Sequence, residues 1–310
     1  EGELKPFSVV QCSIEPVEHA AIYNQIQGSI EKPYAKRLAK ALNHVVIKGN
    51  YNEQTVIFNV GDISPEVLHA TNTLSKSLTK KFPTIVGVFL YEGSSSPGYY
   101  LGSKNQSAQP NLKKLFGKAE IFQRVMGRSF LYSPLSFSQI NQSIVEKMIQ
   151  TAERLLQPSK DCRLFDLYCG YGLFALCLSD KVNSVIAAEV APPSIESAIA
   201  NAKRQKVSNA RFIRTDINAE TTERIMANAS SSDVVLLDPP RKGTSTGVIE
   251  CIAAKQPRRV LHIFCEIDLI QDELKRWKKS GYKAKRAIPF DMFPGTATME
   301  TMVLLEPDVA

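Results

Sequence analysis

Residues 163–175, Arg-Leu-Phe-Asp-Leu-Tyr-Cys-Gly-Tyr-Gly-Leu-Phe-Ala, decide how the chain is read. A strand-like apolar run at 163–168 meets two glycines, Gly170 and Gly172, and then a helix-like run at 173–178. Glycine at a strand-to-helix turn lets the backbone bend sharply and approach a ligand closely. The pattern repeats downstream. Strand-like runs at 184–189, 209–215, 233–237 and 259–264 alternate with helix-like runs at 193–205, 221–228, 247–255 and 269–280. Such alternation predicts an α/β fold: right-handed βαβ units and a mainly parallel sheet covered by helices on both faces. Two last strand-like runs, 282–288 and 301–305, predict an antiparallel addition at the sheet edge.

Upstream, the pattern changes. Short β-type runs at 8–14, 44–47, 55–60 and 84–90 mix with helix-like stretches at 33–42 and 65–80, which predicts a smaller α+β domain. The Ser- and Gly-rich stretch 92–109 reads as a loop, 120–132 as a hairpin, and 136–156 as a long amphipathic helix leading into the alternating half. The predicted domains are therefore 1–135 and 136–310. There is no internal repeat.

The 310 residues are 44% hydrophobic and 22% charged, with 16 Gly and 17 Pro, an ordinary globular composition that excludes disordered and collagen-like chains. No apolar run approaches the roughly 18–20 residues of a membrane span. The chain begins at Glu1 with no signal-peptide pattern, which reads as a trimmed piece of a longer protein. Its six cysteines, Cys12, Cys162, Cys169, Cys177, Cys251 and Cys265, form no C-x-x-C pair and fit a reduced, cytoplasmic protein. The net charge of +7 permits a nucleic-acid partner. Residues 1–140 hold 15 Lys and Arg against 10 Asp and Glu, and residues 141–310 hold 23 against 21, so the excess falls mainly in the first part. Lys80, Lys81, Lys113, Lys114 and Lys118 are its candidate phosphate contacts, each more readily read as a solvated charge.

Several residues point to chemistry. The G-x-G turn lacks the third glycine of a dinucleotide fingerprint, since Ala175 holds that place. Glu189 ends the next strand, where a carboxylate can accept the two ribose hydroxyls of an adenosine. Both NAD and S-adenosylmethionine carry that ribose, and the shortened glycine pattern suits the second better. Asp216, after the third strand, reads either as a contact to the adenine edge or as a helix N-cap. Asp238-Pro-Pro-Arg-Lys-Gly243 ends the fourth strand, where the prolines fix a rigid loop at the binding crevice. Arg241 in place of an aromatic argues against the D/N-P-P-Y/F pattern of amino-group methylation. Cys265 ends the fifth strand, where a thiolate can attack C6 of a pyrimidine and turn C5 into a carbon nucleophile. That cycle needs a base for the C5 proton, and Glu300, at the entrance of the last strand, is the candidate.

Taken together, D-L-Y-C-G-Y-G, L-L-D-P-P-R-K-G, a Cys at the fifth strand end and D-M-F-P-G-T-A-T-M-E-T-M-V-L-L stand in an order and spacing that resemble the RNA uracil-5 methyltransferase family. The segment from Tyr132 to Asn141, Y-S-P-L-S-F-S-Q-I-N, is similar to that family's S-P-x-S-F-x-Q-V-N. The likeness covers about 118–308 well and the first domain loosely, through V-V-Q-C-S-I-E-P near the start. It implies a Rossmann-like class I methyltransferase fold for 136–310 and an accessory RNA-binding domain at 1–135. It implies Cys265 as nucleophile and Glu300 as general base. Gln139, Tyr168, Gly170, Gly172, Glu189, Asp216 and Asp238 would hold S-adenosyl-L-methionine or line the pocket, with Phe137, Gln139 and Arg241 near a flipped base. The implied partner is structured RNA, tRNA or rRNA, with no membrane, no metal, no iron–sulfur cluster in this chain and a monomeric state. The chain departs from the family pattern at Glu266, Thr298 and Leu173, where Asn, His and Asn are usual. The alternatives are methylation of another RNA base, with Cys265 structural, and a non-catalytic RNA-binding protein that keeps the fold.

Overall fold

The computed structural model describes residues 15–93, 101, 111–296 and 298–308. The expected strand at 8–14 and most of the loop at 92–109 lie outside those residues, as does Cys12. The chain divides into two units, Glu1–Ile121 and Phe122–Ala310.

In the first unit, α1 (Glu18–Ile30) buries His19, Ile22, Ile26 and Ser29, one stripe at helical spacing. A short 3-10 turn leads to α2 (Lys36–Ala41), β1 (Leu42–Gly49) and β2 (Gln54–Val60). The next helix, α3 (Pro65–Lys81), has its ends specified locally. The Ser64 side chain accepts from the Val67 N–H, Pro65 and Glu66 open the first turn, and Lys80 and Lys81 close the last. After it come β3 (Ile85–Glu92) and β4 (Leu112–Gly117), giving a four-stranded sheet in order β1-β2-β3-β4 with only β2 and β3 parallel. Its core includes Ile22, Leu38, Phe58, Leu74, Leu78 and Leu90. The small α+β arrangement matches the sequence reading, with α1 and β4 added.

The second unit opens with a hairpin, β5 (Ile121–Val125) and β6 (Arg128–Tyr132), then α4 (Gln142–Leu156) and β7 (Arg163–Leu167). The expected helix at 136–156 starts only at Gln142. A turn closed by the Ser136 N–H on the Ser133 carbonyl, and Asn141 at the N-cap, keep 133–141 irregular. The rest alternates: α5 (Leu173–Leu178), β8 (Ser184–Glu189), α6 (Pro192–Arg204), β9 (Ala210–Arg214), α7 (Ala219–Ile225), β10 (Val234–Leu237), α8 (Val248–Ala254), β11 (Arg259–Phe264), α9 (Ile267–Lys279), β12 (Tyr282–Phe290) and β13 (Glu300–Pro307). The seven-stranded sheet has the order β12-β13-β11-β10-β7-β8-β9. Its five alternating strands are parallel, and β13 runs antiparallel to both β11 and β12, the edge addition expected from sequence. This is a Rossmann-like α/β architecture, as expected from sequence.

The hairpin is pinned to α6: the Leu131 N–H donates to Asn201 Oδ1 and the Ser133 N–H to Ser197 Oγ. Arg124 and Arg128 thus fall in the second unit, and the charge divides differently from the sequence reading. The first unit has 13 Lys and Arg against 10 Asp and Glu, net +3, and the second 25 against 21, net +4.

Candidate active site

Strand order reverses between β7 and β10, and in open α/β sheets that reversal opens a crevice at the carboxyl ends of the strands. The two loops leaving it are tied together by the Asp238 N–H on the Leu167 carbonyl, 3.3 Å. The chain leaves β7 through three left-handed residues, Tyr168, Gly170 and Gly172, at φ 69°, 54° and 84°. Tyr168 has a Cβ, so its conformation carries strain of a kind that gathers at functional sites. The turn is held by the Tyr168 and Cys169 N–H groups, both on the Ala188 carbonyl, and by the Gly170 N–H on Glu189 Oε2 at 3.1 Å. Glu189 Oε1 accepts from the Ala191 N–H at 2.7 Å. The carboxylate expected to meet a ribose is therefore fixed at the rim of the glycine turn. Burial holds its pKa above the ordinary value, against the pull of these N–H donors.

Asp216 is exposed and does not cap α7. That cap is Asn218, in a reciprocal pair with Thr221. The N-cap reading of Asp216 thus falls away, and its charge, with those of Glu273 and Glu189, adds to the burial that raises the Tyr168 phenol.

The β11–β13 register brings the two reaction candidates together. The ladder ends at the Phe264–Thr301 pair, so Cys265 directly follows it on one strand and Glu300 directly precedes it on the other. Glu300 also pairs with Phe290 on β12. It is 5% exposed, its Oε2 has no hydrogen-bond partner, and burial raises its pKa to about 7 against the pull of Arg241. Cys265 is half-buried; burial, then the Glu300 and Asp238 charges, push its thiol up to about 12, with Arg241 opposing. Asp238 is held well above the carboxylate range by burial and by Glu300, Asp166 and Glu189. Cys265, Glu300, Asp238 and Arg241 therefore share one electrostatic site.

Asp166 was not singled out as a site residue from sequence. It is 1% exposed, neither carboxylate oxygen has a hydrogen-bond partner, and burial raises its pKa to about 7. The available signal was an acid in the middle of an apolar strand.

Gln139 is half-buried and Phe137 is 53% exposed, both on the irregular segment after the hairpin. That segment leans on Tyr132, stacked on Tyr171 of the glycine turn at 4.5 Å, while the Tyr171 hydroxyl donates to Gln123. Neither Gln139 nor Phe137 is bonded to the other candidates. At the departures from the family pattern, Leu173 is buried in α5, Glu266 is the N-cap of α9 without a side-chain capping bond, and the Thr298 N–H donates to Thr296 Oγ1. Of the remaining described cysteines, Cys162, Cys169 and Cys177 are buried as expected, whereas Cys251 is only half-buried.

Among the phosphate-contact candidates, Lys118 pairs with Glu53 at 2.6 Å and Lys81 donates to Gln25. Lys113 and Lys114 lie exposed on the edge strand β4, where lysines also discourage edge-to-edge pairing. A cavity in the first unit, lined by Arg37, Lys40, Asp62, Ser64 and Glu66 among others, contains none of the candidates. Among the described residues no cluster of three or more His, Cys, Asp or Glu could hold a metal, and no helix is long and apolar enough to cross a membrane.

Comparison with known proteins agrees with this layout. An uncharacterized RNA methyltransferase of Streptococcus pyogenes serotype M18 is 29% identical over 280 residues, covering 88% of this chain and 58% of the relative. One from Oceanobacillus iheyensis is 28% identical over 271 residues, covering 85% and 56%. The chain thus spans a little over half the length of these curated relatives. The crystal structure of Pyrococcus abyssi tRNA (uracil-54, C5)-methyltransferase in complex with S-adenosyl-L-homocysteine superposes with a TM-score of 0.70 at 19% identity, covering 98% of this chain and 71% of that one, a likeness of fold. The family model described as tRNA (Uracil-5-)-methyltransferase matches residues 111–308, well over half of the chain, and the chain belongs to that family.

Proposed function

We propose that the chain is an S-adenosyl-L-methionine-dependent methyltransferase that methylates C5 of a uridine in tRNA or rRNA, through a transient covalent bond between Cys265 and C6. The observation that carries this reading is that Cys265 and Glu300 flank the last pair of the β11–β13 ladder and share one electrostatic site with Asp238 and Arg241. Family membership supports it, as does the S-adenosyl-L-homocysteine bound in the Pyrococcus enzyme.

The residues fit the cofactor. Asp166, Glu189, Asp238 and Glu300 crowd four carboxylates around one crevice, and Asp166 and Glu300 present unpartnered buried oxygens. Such a set suits a ligand carrying a sulfonium and an ammonium, since each positive charge relieves their mutual repulsion. Tyr168, Gly170 and Gly172 would let the backbone approach it, Glu189 would accept its ribose hydroxyls, and Asp216 would meet its adenine edge. S-adenosyl-L-methionine supplies an electrophilic methyl group.

The Cys265 sulfur bonds to C6, its thiol proton leaving to the neighbouring carboxylates or solvent, and the C5–C6 double-bond electrons move onto C5. That makes C5 the nucleophile for methyl transfer. Glu300 then takes the C5 proton from the methylated ring, the double bond re-forms, and the C6–S bond breaks to release the thiolate. Phe137 and Gln139 would contact the base, which must leave its stack to expose C5 and C6.

The test is methylation of tRNA and rRNA transcripts, with mass spectrometry for 5-methyluridine. Cys265→Ala is expected to abolish product. Glu300→Gln is expected to accumulate an RNA–protein adduct that survives denaturing gels. No 5-methyluridine with wild type, together with no adduct in Glu300→Gln, overturns the mechanism. The high thiol pKa favours one other reading, methylation of a different RNA base, and undiminished activity of Cys265→Ala decides for it.

A further inference from the structure

A buried cluster on α9 reaches both elements that carry the reacting groups. Glu273 is 6% exposed, and its Oε1 accepts from the N–H and the hydroxyl of Thr244, each at 2.7 Å. Its Oε2 stands 3.2 Å from Nε2 of His262, a wholly buried residue of β11 three positions before Cys265, whose imidazole burial keeps neutral by lowering its pKa to about 3. Trp277 Nε1 donates to His262 Nδ1 at 3.2 Å, which assigns the imidazole proton to Nε2, facing Glu273. Arg276 donates to Thr244 Oγ1 and pairs with Glu250, closing the cluster from outside.

Thr244 ends the loop that begins at Asp238. Inside it, the Gly243 N–H donates to the Pro240 carbonyl at 2.8 Å, a tight turn with Arg241 at its second position. Gly243 has a φ of +77°, and a Cβ there would stand 2.7 Å from Glu273 Oε1, so the turn rests directly on this carboxylate. The Arg241 side chain is exposed and makes no hydrogen bond or ion pair with another described residue. The turn therefore sets where its backbone lies and the reach from which the guanidinium works.

We propose that Glu273 is a positioning residue: by gripping Thr244 it fixes the turn at 240–243 and holds the Arg241 guanidinium toward Cys265 and Glu300. This rests on reading Cys265 as the nucleophile, yet it is tested without any methylation. The charges that act on the thiol are Glu300 from β13 and Asp238 and Arg241 from the loop after β10. Of these Arg241 alone favours the thiolate.

The experiment follows alkylation of Cys265 by iodoacetamide in the 310-residue chain, read by peptide mass spectrometry, from about pH 7 to about pH 10. Arg241→Ala is expected to slow it by roughly threefold to tenfold, as the thiol pKa rises by up to about one unit. Glu273→Ala should slow it to a similar degree, the double variant no further than Arg241→Ala, and Glu273→Gln, which keeps an oxygen for Thr244, should recover most of the rate. A wild-type rate in Glu273→Ala, or a double variant slowed by the product of the two single effects, overturns the proposal. Should Glu273→Ala not melt cooperatively, Thr244→Val replaces it in the same cycle. A smaller slowing that vanishes in the Arg241→Ala background supports the proposal, and no slowing overturns it. Failure here leaves the adduct test of Glu300→Gln untouched, and the reverse holds too.

Discussion

Asp166 sits between Phe165 and Leu167 in β7 with both carboxylate oxygens buried and unpartnered. Ionising it there is unfavourable, and its pKa rises from the ordinary 3.8 to about 7. The sign follows. The folded state binds this proton more tightly than the unfolded one, so the stability it contributes is full below about pH 4 and is lost as pH rises toward 7. At about 1.4 kcal/mol per pKa unit the ceiling is about 4 kcal/mol, and relaxation of a real interior makes about 2 kcal/mol the better expectation. In cofactor-free protein, Asp166→Asn is expected to melt like wild type near about pH 4 and increasingly above it up to about pH 8. Thermal melts across pH check this, and a Tm difference that does not grow with pH contradicts it. Cys265 and Glu300 were legible because ordered motifs flank each of them. Glu273, His262 and Thr244 were not, since nothing local distinguishes a glutamate in Q-D-E-L-K-R-W from any surface glutamate until α9 is laid against the Asp238 loop.

At the scale of elements, β10 has only four residues and is held by what flanks it. At the end of the sheet away from the crevice, Asp233 Oδ1 accepts from the backbone N–H and Nε of Arg163, and Oδ2 from Arg163 Nη2 and the Ser230 N–H. This one carboxylate thus locks the starts of β7 and β10. Burial acts to raise its pKa, but the donors outweigh it and hold it below the ordinary value. Asp233→Ala leaves those donors in a buried place and is expected to cost about 3 kcal/mol, or a Tm lower by roughly 6–12 °C. Cofactor affinity measured by calorimetry should stay within about threefold, because the loss lies at the far end of the strands. A large loss of affinity in well-folded protein contradicts this separation. The parallel strands were readable because each is a short apolar run between helical patterns. The helix α1 was not, because His19 and Ser29 share its buried stripe with Ile22 and Ile26 and dilute the apolar period. Nor was β4, whose Lys113 and Lys114 read as a solvated charge run.

Across the whole molecule, each unit buries its own core. One contains Phe58, Leu74 and Leu90, the other Phe165, Leu237, Val260 and Trp277. Every candidate residue of the active site belongs to the second unit, so residues 122–310 hold both a core and all of those candidates. The charge, in contrast, is shared at +3 and +4, which removes the argument that the first unit alone supplies electrostatic attraction for RNA. Counterion release makes the salt dependence of RNA binding a count of engaged phosphates, with a slope of about 0.7–0.9 per contact. A fragment of residues 122–310 is therefore expected to melt cooperatively and to bind S-adenosyl-L-methionine within about threefold of the full chain. Its tRNA binding should weaken, with a salt slope smaller by about one to three but far from zero. Calorimetry with the cofactor and filter binding of tRNA over a salt series measure both. An unchanged slope would mean that the first unit touches no phosphate, and a slope near zero would return the whole electrostatic grip to it.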